Sequence, residues 1–99
     1  MIHCGRATVI AAGTKVPLAT TRTPASWVLC TSDPANTDYV YIGDVNVRNL
    51  AAGPVGCPLD IGNWHILREV TGTPYIDLKD IYIDADDDGD SVSYIYGLN

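Results

Sequence analysis

The amino-acid sequence predicts an all-β fold, either a β-sandwich or a small barrel. Segments rich in Val, Ile, Leu and Tyr recur about every ten to fifteen residues, and Gly, Pro, Asn or Asp residues separate them. No segment has apolar residues at the 3.6-residue period of an amphipathic helix. Apolar residues make up 46% of the chain, with nine Gly and six Pro but no Phe, which suits strands joined by frequent turns.

The chain length allows one domain. A chain of 99 residues buries roughly 60–65% of its unfolded surface, which leaves no material for a second core. We therefore expect residues 1–99 to form one β domain, in which residues 1 to about 24 are an extended N-terminal segment. Only 18% of the residues are charged, which argues against disorder and suits a surface partly covered in an assembly.

The first half of the chain predicts three strands. The first covers residues 6–13, and the segment after it stays at a sheet edge because Pro17 and Pro24 cannot donate to a ladder. The apolar run 26–32 predicts a central strand. A turn at 33–38, with Asp before Pro, leads to a strand at 39–44, which continues past a bulge at Gly43.

The second half begins with a loop at residues 49–63, which contains three Gly and two Pro. A short strand is expected near 57–59 inside it. A further strand at 64–70 ends at the sequence TGTP, and the alternating segments 81–85 and 91–97 predict the last two strands.

Charge is unevenly distributed along the chain, whose net charge is −6. Residues 1–32 carry Arg6, Lys15 and Arg22 and no acidic residue, whereas residues 33–99 carry three basic and twelve acidic residues. Nucleic-acid binding needs clustered Lys and Arg, so we expect no nucleic-acid partner. The three N-terminal bases are either ordinary solvated charges or a contact with an acidic surface.

Three cysteines, Cys4, Cys30 and Cys57, form an odd set without a close pair, which does not suit a disulfide framework. We expect three free thiols, with Cys30 buried, in a protein made in a reducing cytoplasm. No signal peptide and no apolar run long enough to cross a membrane is visible, so no membrane partner is expected.

Six acidic residues lie between Asp80 and Asp90. Asp84, Asp86, Asp88 and Gly89 match the first positions of an EF-hand loop, but Ile95 replaces the required bidentate Glu and the flanks predict strands. A Gly after a run of Asp also suits a tight hairpin. We expect a solvent-facing hairpin turn, and a different type of calcium site at Asp84, Asp86 and Asp88 stays an alternative.

Catalytic chemistry has little support in the sequence. A solvated turn gives its carboxylates the same environment, whereas paired catalytic carboxylates need different ones. His3 and His65 are the only histidines, and Cys57 with His65 is the one pair that suggests a nucleophile. We read Cys57 as a small apolar filler and expect no enzyme activity and no cofactor.

Aromatic residues suggest surfaces that bind other molecules. Exposed Trp27 and Trp64 would stack on sugars, although the apolar neighbours of Trp27 favour a core position. Tyrosines recur at alternate strand positions, and Tyr suits surfaces half-buried against another chain. The tyrosines expected between subunits are Tyr39, Tyr41, Tyr82, Tyr94 and Tyr96.

Three segments, NTDYVYIGD, DIYIDA and SVSYIYG, carry a resemblance to small virion proteins of tailed bacteriophages, which include capsid decoration (cement) proteins and head-fibre domains. The similarity extends over residues 23–97. It implies a single, jelly-roll-like β-sandwich of about seven to eight short antiparallel strands. It also implies no enzyme activity and homotrimers on an icosahedral shell.

The resemblance therefore predicts a structural virion protein on the capsid surface that binds the major capsid protein and stabilises the shell. Arg6, Lys15 and Arg22 are the expected capsid contacts. The alternative is a head-fibre or tail adhesion module that binds a host-surface glycan through Trp27, Trp64 or a tyrosine.

Overall fold

The computed structural model describes residues 2–68 and 75–98, and within them the chain forms ten β-strands and two short 3₁₀ helices, Leu50–Ala52 and Leu78–Asp80. The all-β prediction is confirmed. None of the described residues forms a helix long and apolar enough to cross a membrane. The strands are β1 (Ile2–Thr8), β2 (Val16–Pro17), β3 (Pro24–Ala25), β4 (Trp27–Ser32), β5 (Val40–Gly43), β6 (Cys57–Leu59), β7 (Trp64–Arg68), β8 (Ile76–Asp77), β9 (Tyr82–Ala85) and β10 (Ser91–Gly97).

The strands pair from the two ends of the chain towards its middle. β1 pairs with β10, β2 with β9, β3 with β8, β4 with β7, and β5 with β6, all antiparallel. Two additional antiparallel pairs, β10 with β4 and β5 with β9, join these into sheets. The first sheet has the order β1-β10-β4-β7, the second has the order β2-β9-β5-β6, and β3 and β8 form a separate ribbon.

One hydrophobic core receives side chains from both four-stranded sheets. Val28 and Cys30 of β4 meet Ile42 of β5 and Ile83 of β9 in one buried cluster. Leu78 of the second 3₁₀ helix is also fully buried there. The radius of gyration of the Cα atoms, 12.6 Å, agrees with the value of about 13 Å for a compact chain of this length.

Several predicted strands appear where the sequence placed them. The apolar run at 26–32 is indeed a central strand, β4, because its neighbours are β10 and β7. The last two predicted strands correspond to β9 and β10, and the short strand near 57–59 is β6. Pro17 lies in β2, an edge strand, as the missing N–H of proline requires. Of the predicted strand at 64–70, residues 64–68 form β7 and the last two lie outside the described residues, as does the predicted break at 71–74.

Other boundaries were predicted wrongly. The first strand ends at Thr8 rather than continuing to residue 13, because the chain turns there and the Thr14 N–H donates to the Ala11 carbonyl at 2.9 Å. The expected bulge at Gly43 is the end of β5, after which the Val47 N–H closes a turn on the Asp44 carbonyl at 3.0 Å. Ten strands replace the expected seven to eight because β2, β3 and β8, of two residues each, add short pairings.

Candidate functional site

The acidic segment between β9 and β10 is the most highly bonded loop of the described structure. The expectation of a hairpin turn is wrong, because β9 lies in the second sheet and β10 in the first, and the two strands do not pair. The segment therefore crosses from one sheet to the other. Gly89 takes a φ of 83°, and its N–H donates to the Val9 carbonyl at 2.7 Å. A residue without a side chain is favoured there because that φ is left-handed.

Asp84 connects this crossing to two distant loops. Its Oδ1 accepts the backbone N–H of Gly13 at 3.0 Å, and its Oδ2 accepts the N–H of Asn49 at 3.1 Å. The Asn49 side chain in turn donates to the carbonyl of Ala85 at 2.9 Å. Asp84 is only 2% exposed, so its carboxylate is a buried anchor rather than a group facing solvent.

Asp86 bonds to the same loop and to a tyrosine. Its Oδ1 accepts the N–H of Leu50 at 2.9 Å, and its Oδ2 accepts the hydroxyl of Tyr41 at 3.0 Å. Burial of the phenol, together with the hydrogen bond and charge of Asp86, raises the pKa of Tyr41 to about 12. Tyr41 is therefore a neutral hydrogen-bond donor to the Asp86 carboxylate at neutral pH.

Asp88 and Asp90 hold the remaining loops. Asp88 accepts the N–H of Ala12 at 2.7 Å, whereas Asp90 accepts the N–H groups of Thr37 and Asp38, each at 3.0 Å. Asp90 is 3% exposed. The expectation that the acidic segment points to solvent is therefore wrong for Asp84 and Asp90, although Asp88 is exposed as expected.

These contacts define an aspartate clamp, consisting of Asp84, Asp86, Asp88 and Asp90, that binds backbone N–H groups of three loops. The loops are residues 12–13, 37–38 and 49–50. Charge-assisted bonds to backbone N–H groups are stronger than neutral ones, so the clamp fixes this end of the molecule.

The three aspartates of the calcium alternative have other partners in the structure. Asp84, Asp86 and Asp88 accept hydrogen bonds from N–H groups of two loops, residues 12–13 and 49–50. Within the part of the chain that the structure describes, no group of three or more His, Cys, Asp or Glu side chains is arranged to hold one metal ion.

The three N-terminal bases do not form one patch. Arg6 on β1 bonds the Asp33 carboxylate at 2.5 Å, close to the clamp. Arg22 bonds the Tyr75 hydroxyl, lies 5.2 Å from the centroid of that ring, and approaches the Asp77 carboxylate at 3.9 Å. Lys15 is exposed. Two of the three expected capsid contacts therefore share their charge with intramolecular partners.

The five tyrosines expected between subunits are divided between two environments. Tyr94 and Tyr96 of β10 pack against the core, and the Tyr94 hydroxyl donates to the Leu18 carbonyl at 3.1 Å. On β5, Tyr41 alternates with the core residues Val40 and Ile42, so it lies on the outer side of the second sheet. Tyr82 lies on that side too, and Tyr39, the exposed member of the five, directly precedes β5. The set therefore does not share one surface.

Both tryptophans lie on the outer side of the first sheet. The expected core position of Trp27 is wrong, because Trp27 alternates with the buried Val28 and shares its side with Leu29. Its ring crosses Gly97 so closely that a Cβ there would come within 3.0 Å of Trp27 Cζ2. Trp64 is 65% exposed.

The cysteines are free, and the predicted burial of Cys30 is confirmed. Burial in the core raises the pKa of Cys30 to about 12, so this thiol is a neutral core residue rather than a nucleophile. Cys57 and His65 line one cavity of about 280 Å³ between the sheets, together with Ile42 and Leu67. The structure thus brings this pair to one cavity, whose walls are mainly apolar.

Comparisons with protein families, with characterised proteins and with solved structures find no match for this chain. Its function is therefore argued from its own residues and strand order.

Sequence reasoning missed two features. The clamp was not predicted because its partners are backbone N–H groups up to 76 residues away, as in the Ala12–Asp88 bond. The apolar character of the first sheet's outer side was not predicted, although the sequence indicates it. Along WVLCTS, Trp27 and Leu29 lie on one side of the strand, and Val28 and Cys30 lie on the other. Both sides are therefore apolar, which indicates a strand that is covered on both sides.

Proposed function

We propose that this chain is a structural protein of a tailed-bacteriophage particle, a capsid decoration protein that binds the major capsid protein and stabilises the shell. The observation that carries the proposal is the pairing of strands from the two ends of the chain inward. A hairpin of this kind, folded into two four-stranded sheets, is the strand order of a jelly roll. Jelly rolls form viral capsid domains, and also lectins and cupins.

The eight strands outside the short β3–β8 ribbon make up the two four-stranded sheets. They alternate between the sheets along the chain except at β5 and β6, the closing hairpin. Every connection other than the one between β5 and β6 thus crosses from one sheet to the other, which supports a jelly-roll sandwich. The crossing between β9 and β10 is the one held by the aspartate clamp.

The segments that resemble phage virion proteins lie in this framework. NTDYVYIGD covers the loop held by Asp90 and strand β5, DIYIDA covers β9, and SVSYIYG is β10. The resemblance therefore concerns strands that define the fold, which supports a shared architecture more directly than a shared partner.

The clamp supports a role in binding another protein by a rigid surface. Three loops at one end are fixed by carboxylates, so little conformational entropy would be lost there when a partner binds. Lys15 follows the loop that Asp84 and Asp88 hold, and its ammonium group is exposed. We place the capsid contact around Lys15, whereas Arg6 and Arg22, the other expected contacts, already bind Asp33 and Tyr75 of the same chain.

Binding to purified phage shells tests this proposal. The labelled protein should sediment with shells in a saturable manner. Lys15→Glu should weaken binding most at low salt, because salt screens the attraction between exposed charges at an interface. Lys79→Glu, at another exposed lysine, is the matched control. Deletion of residues 1–13 is unsuitable because it removes β1 and the fully buried Val9. Full occupancy by Lys15→Glu would place the contact elsewhere, and no saturable binding would contradict the decoration role.

The homotrimer stays part of the proposal for the assembled shell. The outer side of the second sheet, with Tyr39 and Tyr82, is the surface we assign to contacts around a threefold axis. Such a contact closes a ring when each copy uses two different patches.

The adhesion alternative has one specific observation in its favour, the exposed indole of Trp64. Jelly-roll lectins bind sugars, and an exposed aromatic ring stacks on a sugar face. A glycan array would give a reproducible signal that Trp64→Ala abolishes if this function holds.

A further inference from the structure

The outer side of the first sheet presents an apolar row that crosses all four strands. Register places Cys4 of β1 opposite Ile95 of β10, Ile95 opposite Leu29 of β4, and Leu29 opposite Ile66 of β7. Directly opposite residues project to the same side of a sheet, so the four side chains form a continuous row. Their neighbours along each strand, such as Cys30, face the core instead.

Two further rows complete the surface, which we call the outer face. One contains Ile2, Gly97, Trp27 and Arg68, and the other contains Arg6, Ser93, Thr31 and Trp64. Ile2 is 64% exposed and Trp64 65% exposed. Although the chain has twelve acidic residues, these three rows contain none.

We propose that the outer face binds the same face of a second copy, so that two first sheets pack against each other around a twofold axis. Strand spacing and rise give the outer face dimensions of roughly 19 by 21 Å, and two packed faces would bury on the order of 1,000 Å². That area lies at the lower end of specific interfaces. The pair should therefore form reversibly at micromolar or higher concentration.

The positions of the two arginines favour a copy of the same face as the partner. Arg6 and Arg68 occupy diagonally opposite corners, and Ile2 and Trp64 occupy the other two. Aligned sheet packing permits a twofold axis along the strands or across them. With the axis along the strands, Arg6 meets Trp64 of the second copy and Arg68 meets its Ile2. With the axis across them, Arg6 meets Ile2 and Arg68 meets Trp64.

In either arrangement no arginine meets another arginine, and one arginine of each copy lies over an indole ring. A guanidinium over an indole is a favourable cation–π contact. The outer face is thus complementary to itself in apolar character and in the placement of its arginines opposite Trp64 and Ile2, although Arg6 also pairs with Asp33 of its own chain.

The effect of salt on association distinguishes this contact between two copies from binding to an acidic partner. Each copy carries a net charge of −6, so two copies repel at long range, although no arginine of one outer face lies opposite an arginine of the other. Salt screens that repulsion and should strengthen the pair, whereas it would weaken a contact between the arginines and an acidic surface. The inference holds whether or not the chain belongs to a phage shell.

Sedimentation equilibrium of the purified chain tests the pair. We expect the average mass to rise with concentration from 10.6 kDa towards twice that value, and more readily at 0.5 M than at 0.05 M salt. Trp64→Lys and Ile2→Lys should each weaken association at least tenfold, because each places a lysine opposite an arginine in both twofold arrangements. Leu50→Lys, at a side chain 63% exposed and outside the outer face, is the matched control and should associate as the unsubstituted chain does.

Crosslinking identifies the axis. With the axis across the strands, Cys4 meets Cys4 of the second copy, and a short bismaleimide should join the unsubstituted chains. With the axis along the strands, Cys4 meets Ile66, so crosslinking should require the substitution Ile66→Cys. Cys4→Ser should abolish the product in both cases. Any of three results would overturn the proposal. The protein could stay monomeric at millimolar concentration, both lysine substitutions could leave association unchanged, or Cys4 could form no crosslink in the unsubstituted chain or in Ile66→Cys.

Discussion

The Asp84 carboxylate accepts the backbone N–H of Asn49 at 3.1 Å across 35 residues of sequence. This bond joins the crossing between the sheets to the loop after β5. Since Asp84 also accepts the Gly13 N–H, one buried side chain holds two loops that lie far apart in sequence.

We expect Asp84→Ala to be strongly destabilising. It leaves the buried N–H of Asn49 without its acceptor, which costs about 1–3 kcal/mol, and it also removes the part-buried bond from the Gly13 N–H. Urea unfolding should show a loss of roughly 2–5 kcal/mol. Asp87→Ala is the control, because exposed Asp87 accepts only the Thr37 hydroxyl in the described structure and its loss should cost less than about 1 kcal/mol. Equal losses for the two variants would contradict the clamp.

Calcium should have no effect on stability. The clamp oxygens already accept protein N–H groups, so an ion would have to break those bonds in order to bind. The melting temperature in 5 mM calcium should lie within about 1 °C of its value in EDTA, whereas a ligand at roughly 100 times its Kd would add about 2.7 kcal/mol. A calcium-dependent rise of several degrees would show that the clamp rearranges around an ion.

The free energy of unfolding should fall at alkaline pH. Burial raises the pKa of the Cys30 thiol from 9.0 to about 12, so above pH 9 the unfolded chain releases this proton while the folded chain retains it. Stability is complete below pH 9 and declines between pH 9 and 12, by up to about 1.4 kcal/mol per pH unit for one group. Tyr41 adds a second decline above pH 10.

Cys30→Ala should therefore make the free energy of unfolding fall less steeply with pH between pH 9 and 10. The small cavity left by the lost sulfur should also lower the free energy of unfolding at every pH. Exposed Cys4 provides the control, because Cys4→Ser should leave that slope unchanged. An unchanged slope in Cys30→Ala would show that the thiol is not buried in the folded protein.

Acid should weaken the ribbon of β3 and β8. Burial alone would raise the pKa of Asp77, but hydrogen bonds from the Thr23 and Lys79 N–H groups, with the charges of Lys79 and Arg22, hold it below its ordinary value of 3.8. Since the unfolded chain then binds the proton first, stability is present above about pH 4 and is lost as the pH falls below it. Asp77→Asn should flatten this part of the pH profile measured by urea unfolding, and Asp80→Asn, at an exposed carboxyl, should not.

The strands with clear alternation were predictable from sequence, and their partners were not. β9 and β10 lie in segments whose sequence alternates with period two, and the apolar run of β4 indicates a central strand. The first strand was shifted because Val9 and Ile10 continue its apolar run, yet Val9 has left the sheet to bond Asp90 and Gly89. A propensity pattern does not contain that long-range bond.

The acidic segment was misread for a related reason. Asp and Gly residues signal a turn, and the turn exists, but sequence does not say whether the strands beside it share a sheet. Asp84 lies three and four residues before the exposed Asp87 and Asp88 in an acidic run, and its burial depends on N–H groups of Gly13 and Asn49 that the fold brings to it. The tyrosines were grouped by periodicity alone, and the two sheets divide them.

A cryo-EM map of a tailed-phage particle in which mass spectrometry detects this chain tests the proposed decoration role most directly. We expect a two-sheet domain at a fixed site on the exterior of the shell, with Lys15 facing the major capsid protein and the aspartate clamp ordered beside it. A shell whose exterior lacks the domain, in particles that carry the chain on a tail or fibre, would contradict the decoration role and favour adhesion.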